Sequence, residues 1–221
     1  MKDGGIDMSF TKLERDNFRW KRINGAELEG KYDMPILAPV HDVEPTKMIG
    51  FNQAKTIKNP EEWWFHFYID DYHFERIWNN PSQYLAMLKR FQGGITTDYS
   101  IYLDMPRSQQ IWNCWRNRCM AYWMQQNGIC VIPNVGWSDA ESLEWAFDGL
   151  PKHSVLSITT QGCMNSNYIC KQSLVNGIHE LARCKEPEKL IVYGKFPEEW
   201  KNRFPMPIVT YKTFSEERWG A

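Results

Sequence analysis

Acidic residues stand just after two short apolar runs of this chain: Asp70 and Asp71 after Trp63–Ile69, and Asp98 after Gly94–Thr97. Carboxylates gathered in one place can bind a divalent cation. They can also divide acid and base roles, because neighbouring negative charges push their pKa values apart. Asp104 lies close enough in sequence to join them. Asn134 and Trp137 follow Cys130–Pro133, Thr159 and Thr160 follow Ser154–Ile158, and Lys195 follows Lys189–Tyr193 and Gly194. Amide, hydroxyl and ammonium groups of this kind orient a hydroxylated or phosphorylated ligand. Asp70, Asp71 and Asp98 are therefore the candidate catalytic residues. Asp104, Asn134, Trp137, Thr159, Thr160 and Lys195 are the candidate ligand-binding ones. Each also has a structural reading: Asp71 suits a helix N-cap, Asp98 and Asp104 can hold loop backbone, and Asn134 and Gly136 are turn residues.

Other reactive side chains are placed less well. His66 alternates within the aromatic run Trp63–Tyr68, where a hydrogen-bonded core role fits better than catalysis. His73 can face the same edge as Asp71, and His153 stands at the opposite end of the sheet. Cys163 is the one cysteine placed like a nucleophile, between a strand and a helix. No G-x-G-x-x-G, G-x-x-x-x-G-K-[ST] or G-x-S-x-G element occurs, which disfavours a classical dinucleotide site, a phosphate loop and a serine-hydrolase elbow.

The elements that must position these residues show as a repeated rhythm. Apolar runs at Trp63–Ile69, Gly94–Thr97, Cys130–Pro133 and Ser154–Ile158 each end in polar residues and open into a helical pattern. Met48–Ala54, Lys189–Tyr193 and Ile208–Tyr211 read as further strands. Helices are expected over Tyr72–Trp78, after Asn80-Pro81, from Pro106 to Asn127-Gly128, and over Tyr168–Lys185. Ser138-Asp139-Ala140-Glu141 has capping-box spacing and predicts a helix running to Asp148-Gly149. In the longest helix Ile111, Trp115, Cys119 and Tyr122 form a core stripe. The fold class is therefore α/β: a parallel sheet with crossover helices, barrel-related or open three-layer, with ligand groups at the carboxyl ends of the strands. Residues 1–47 read as an irregular arm with prolines at 35, 39 and 45, docked on an α/β domain spanning 48–221.

Composition narrows the function. A net charge of −1 with no Lys/Arg block excludes the broad electrostatic footprint of a duplex-DNA binder. Aromatic residues make up 14% of the chain, enough for a packed core and for a surface that stacks bases or meets a partner protein. Arg107, Arg116 and Arg118 share the longest helix with Trp112, Trp115 and Trp123, a set that could stack single-stranded nucleic acid. Six cysteines without zinc spacing read as reduced thiols, with Cys130 buried in a strand. The opening Met1-Lys2-Asp3-Gly4-Gly5 begins no apolar run, and no stretch approaches the roughly 18 apolar residues of a membrane span. A cytoplasmic protein with no membrane partner is expected.

Four motifs in order carry a family resemblance. These are Phe65-His66-Phe67-Tyr68-Ile69-Asp70-Asp71, Phe74-Glu75-Arg76-Ile77-Trp78, Ile95-Thr96-Thr97-Asp98-Tyr99-Ser100-Ile101-Tyr102 and Val131-Ile132-Pro133-Asn134-Val135. From about Met48 to Lys195 the chain resembles domain-of-unknown-function family 4417, found in phages, prophages and other bacterial mobile elements. It departs where the family has Thr-Pro-Asp-Phe-Ser: Thr96-Thr97-Asp98-Tyr99-Ser100 keeps the acid and loses the proline. The resemblance implies an accessory protein acting inside a bacterial host cell, in replication or against host defence, and supplies no catalytic residues. The leading expectation is a polar, nucleotide-like small-molecule ligand at the strand ends, with catalysis by the carboxylates left open. The alternatives are a non-catalytic protein that engages a host factor and a single-stranded nucleic-acid binder.

Overall fold

The computed structural model describes residues 19–164 and 168–219. The charged stretch near Thr11–Arg22, which reads as an irregular or short helical start of the arm, lies mostly outside the described residues, as do Asn165–Asn167 of the loop of small and amide residues from Gly162 to Asn167. Two short strands, β1 (Leu28–Glu29) and β2 (Met34–Pro35), form an antiparallel hairpin. Strands β3 (Met48–Gly50), β4 (Trp64–His66), β5 (Gly93–Ile95) and β6 (Val131–Ile132) then form a four-stranded sheet. Strands β7 (Val155–Thr159), β8 (Lys189–Tyr193) and β9 (Ile208–Tyr211) form a three-stranded one. Every neighbour in both sheets is parallel and follows chain order. The sheets meet at a parallel bridge between Asn134 and Ser157, where Val135 N–H donates to the Ser157 carbonyl at 2.8 Å.

This arrangement is barrel-related. Trp64, Ile95, Ile132, Val155 and Ile191 pack into one inner cluster, against which Met48 of the first barrel strand and Val209 of the last also pack. Tyr68, just past β4, stacks on Tyr193 of β8 with ring centroids 5.2 Å apart, so the inner face has curled back on itself. Among the described residues β3 and β9 do not pair. Instead the Tyr211 hydroxyl donates to the Pro45 carbonyl at 2.7 Å across the gap. The result is an incompletely closed barrel. Alternation sets its interior: Trp64, His66 and Tyr68 face in, while Phe65 and Phe67 face the helices. Gly93 and Gly94 are forced by those rings, since a Cβ would lie 2.5 Å from Trp64 and 2.1 Å from Phe65 respectively.

Outside the strands lie α1 (Glu75–Asn79), α2 (Ser82–Leu88), α3 (Arg107–Gln126), α4 (Tyr168–Lys185) and α5 (Glu198–Lys201), with α6 (Phe214–Trp219) following β9. Cys119 of the expected α3 stripe is fully buried and Tyr122 nearly so, while Ile111 and Trp115 are half-buried. Buried polar groups share the helix: the Asn117 side chain exchanges hydrogen bonds with both Tyr99 backbone groups, at 2.8 and 3.2 Å. Such groups face the loop after β5, where Asn113 and Gln110 also donate to the Ser100 and Met105 carbonyls, and the arm packs on α3 at Ala121 and Tyr122. Leu37 is buried, and the Gln125 amide clamps both backbone groups of Ala38 at 3.0 and 2.8 Å. Further along, Val40 and Val43 pack against the inner cluster, and Val155 N–H donates to the Val40 carbonyl at 2.9 Å. The segment thereby stops the amino end of the barrel.

Some local expectations are corrected. No α-helix starts at Ser138. Only a 3₁₀ turn, Ser142–Glu144, forms there, because the Ser142 hydroxyl accepts the N–H groups of both Ser138 and Asp139 and donates to the Asp139 carbonyl at 2.6 Å. Cys130 is exposed, since β6 begins one residue later. Trp137 lies against α4: its Nε1–H donates to the Ser173 carbonyl at 3.1 Å, and a Cβ on Gly177 would fall 2.1 Å from its ring. Gly177→Ala should therefore destabilise the protein by about 1–3 kcal/mol, although alanine is otherwise the better helix former. Urea unfolding checks this, and a stabilised variant would mean that the ring moves aside freely. No helix among the described residues is long and apolar enough to cross a membrane.

Candidate functional site at the carboxyl ends of the strands

The gap between β3 and β9 opens a cleft of about 400 Å³ that reaches from Thr46 and Trp63 to the carboxyl ends of the strands at Asp70 and Lys212. Its inner wall comes from β4 and β8, through His66, Tyr68 and Tyr193. Its rim includes Asp70, His73, Tyr211 and Lys212. Tyr193 and Tyr211 reach it because they end β8 and β9 on the inner face. Their hydroxyls are engaged elsewhere: Phe214 N–H donates to Tyr193 at 3.0 Å, and Tyr211 holds Pro45. Lys212 is exposed at this rim.

Behind the inner wall runs a buried polar chain. Tyr68 is 3% exposed, and its hydroxyl donates to Asn134 Oδ1 at 3.0 Å and shares a 2.7 Å bond with the Ser157 hydroxyl. The Asn134 amide nitrogen donates to Asp98 Oδ1 at 2.7 Å and to the Thr97 carbonyl at 3.4 Å, which fixes the amide orientation. Asn134 N–H in turn donates to the Thr96 hydroxyl at 2.8 Å. Adjacent parallel strands bring these groups together, because β4, β5 and β6 end side by side.

Electrostatics differ sharply among the acids. Asp98 keeps some solvent contact, yet protein crowds its carboxyl group. Burial pushes its pKa up to about 7, with the Asn134 hydrogen bond opposing and the Asp71 charge adding to the rise. Asp71 is raised chiefly by burial, with opposing help from Ser100. The Ser100 backbone N–H and hydroxyl donate to its two oxygens at 3.2 and 3.0 Å. Asp71 therefore ties the loop after β4 to the loop after β5, and it is not the N-cap the sequence suggested. Asp70 occupies that cap position without a side-chain hydrogen bond to the helix, and it is exposed. Burial, and after it the Asp98 charge, raises the Tyr68 pKa well above its ordinary value, so the phenol stays protonated.

The remaining expected site residues separate from this group. Asp104 is exposed in the loop before α3. Thr159 donates to the Tyr193 carbonyl at 3.2 Å, and Thr160 donates to the Lys195 carbonyl at 2.9 Å, so both bind the backbone of the neighbouring strand end. The exposed Lys195 borders an adjoining, more open depression that shares Tyr211 and Lys212 with the cleft. Burial raises the Cys163 thiol, whose sulfur donates to the Cys170 carbonyl at 3.2 Å. Arg116 pairs with Glu75 at 2.9 Å and lies 3.6 Å from the Tyr99 ring centroid, and Arg118 is wholly buried. These two arginines are thus engaged inside the protein. Among the described residues, no three His, Cys, Asp or Glu side chains come together as a metal-binding group.

Tyr193, Tyr211 and Lys212 were missed in the sequence. Strands buried on both faces give no alternation from which to tell the inner side. The signal available was position alone: both tyrosines end strands at the carboxyl edge.

Comparison with known proteins agrees with the motifs. No solved structure matches the chain. The "Gene 1 protein" of Mycobacterium phage L5 is 33% identical over 174 residues, covering 76% of this chain and 74% of that protein. The "Gene 1 protein" of Mycobacterium phage D29 is 36% identical over 132 residues, 59% of this chain and 48% of that protein, so this match spans about half the relative's length. The family described as "Domain of unknown function (DUF4417)" matches residues 26–212, which takes in the barrel strands, the segment that stops their amino end and most of the cleft lining, and the chain belongs to that family.

Proposed function

We propose that this is a phage or mobile-element accessory protein that binds a polar, nucleotide-like small molecule in the cleft between β3 and β9. The observation that carries the reading is the make-up of that cleft. Polar groups stand on its inner wall, aromatic rings of Tyr193 and Tyr211 flank it, and an exposed cation, Lys212, stands at its rim. Rings of this kind take a planar heterocycle, and a rim cation takes a phosphate. Asp98 stands behind the wall and acts through Asn134 and Tyr68, a positioning role. The test is calorimetric titration of the full chain with nucleosides and nucleoside monophosphates. Lys212→Glu should weaken monophosphate binding about tenfold or more, roughly 1.4 kcal/mol, and leave nucleoside binding unchanged. A wild-type protein that binds neither class would overturn the reading.

A second reading rests on different residues. Tyr72, Tyr102 and Leu103 are exposed by 72%, 60% and 58% on the loops that Asp71 and Ser100 join. Exposed aromatics so placed suit a contact with a host protein. Under that reading Lys212→Glu would leave biological function intact, and alanine at Tyr72 and Tyr102 would remove it.

A further inference from the structure

We propose that His66 determines which ligands the cleft accepts, by donating one hydrogen bond from Nε2 to an uncharged acceptor, a carbonyl oxygen or unprotonated ring nitrogen, on a heterocycle. The inference rests on reading the cleft as a nucleotide site and adds to it the polarity of the inner end.

Three observations lead to it. First, position: the inward side chains of β4 and its extension form three layers. Trp64 fills the lowest, over Gly93, with its Nε1–H donated to Gln92 Oε1 at 2.8 Å. Tyr68 holds the Asn134 chain, and His66 lies between them on the wall of the cleft. Second, tautomer: His66 Nδ1 faces the Tyr68 backbone N–H at 3.1 Å. A backbone N–H only donates, so Nδ1 is the acceptor and the ring proton belongs on Nε2. Among the described residues Nε2 has no protein partner. Third, environment: the ring is 3% exposed and packs against Tyr193 with centroids 4.6 Å apart. Burial lowers its pKa to about 3, so the imidazole is neutral at physiological pH.

A neutral donor locked in one tautomer cannot adapt by taking up a proton or by moving it to the other nitrogen. A ligand presenting an acceptor gains a buried hydrogen bond. One presenting an N–H leaves two donors opposed, both stripped of water. His66 is thus a specificity residue and not a general base, because the nitrogen that could accept a proton is already bonded to the backbone.

The test uses the full chain and two readouts. Long-range ¹H–¹⁵N NMR of the wild type at pH 7 should show His66 as the Nε2–H tautomer, with its resonances moving on addition of a bound ligand. Calorimetric titration with uridine, cytidine, adenosine and guanosine monophosphates should show tight binding for at least one. His66→Phe, which keeps a ring and removes the donor, should weaken that binding about tenfold. His66→Gln, whose amide N–H can stand near the Nε2 position, should restore it to within about threefold of wild type. An Nδ1–H or doubly protonated ring overturns the proposal, and this readout stands even if a variant fails to fold. Wild-type binding that His66→Phe leaves undiminished overturns the role of His66 while sparing the nucleotide reading. Wild-type failure to bind any of the four removes both.

Discussion

Replacing Arg118 by Met is expected to cost about 3–5 kcal/mol of stability, from leaving buried carbonyl acceptors without donors. Its guanidinium is buried and serves three backbone carbonyls: Asp148 through Nε at 3.0 Å, Asn134 through Nη1 at 3.0 Å and Ala146 through Nη2 at 2.6 Å. These carbonyls come from the strand end after β6 and from the turns that replace a crossover helix. Regular secondary structure leaves their acceptors unserved, so one planar fork of donors does the work of a helix ladder. Burial lowers the Arg118 pKa, and its three backbone acceptors are served by a guanidinium, a group that keeps its charge in proteins. Met fills similar volume and supplies no donor. Urea denaturation of the variant measures the loss. A cost below about 1 kcal/mol would mean that water replaces the guanidinium and that Arg118 is not what holds the Asn134 end of the site.

The same stretch shows where the sequence was legible and where it was not. Strands β8 and β9 fall on the expected Lys189–Tyr193 and Ile208–Tyr211, because branched apolar runs flanked by turn residues have few alternatives. Trp63–Ile69 reads as one strand, yet pairing ends at His66. Beyond it Tyr68 N–H turns to the His66 ring and Ile69 N–H to the Phe67 carbonyl, local bonds that no pattern of apolar residues announces. The helix expected from Ser138 failed for a related reason, since a serine hydroxyl competed for the backbone groups a helix would use. The contact of Asp98 with Asn134 was legible, as both end neighbouring strands. That Trp137 belongs to α4, and that Tyr193 and Tyr211 belong to the cleft, depended on barrel closure and on one small residue, Gly177, far along the chain. Closure is a property of the whole sheet, and single runs do not encode it.

Asp98→Asn should make the protein more stable than wild type at pH 8, by a smaller margin at pH 5, and nearly equal to it only at about pH 3, below the pKa of both states. In the folded protein the carboxyl pKa rises from 3.8 to about 7. Between those values the native state holds a proton that the unfolded chain has released, so wild-type stability falls as pH climbs through that window. Above pH 7 the charge must be carried in a crowded site, with Asp71 close enough to oppose it. Asparagine resembles the protonated acid: it is neutral, and its Oδ1 can still accept the 2.7 Å bond from Asn134. The substitution therefore removes the cost of ionisation and keeps the chain to Tyr68. Thermal melts of both proteins from about pH 3 to pH 8 should show their difference opening with pH between the two pKa values. Parallel curves would mean that Asp98 titrates as an ordinary surface acid. If ligand binding is measured alongside, its loss in a variant more stable than wild type at pH 8 would separate what Asp98 does for the site from what it costs the fold. A group that carries an electrostatic penalty in the fold and serves a ligand site would be one where function and stability make opposing demands on one side chain.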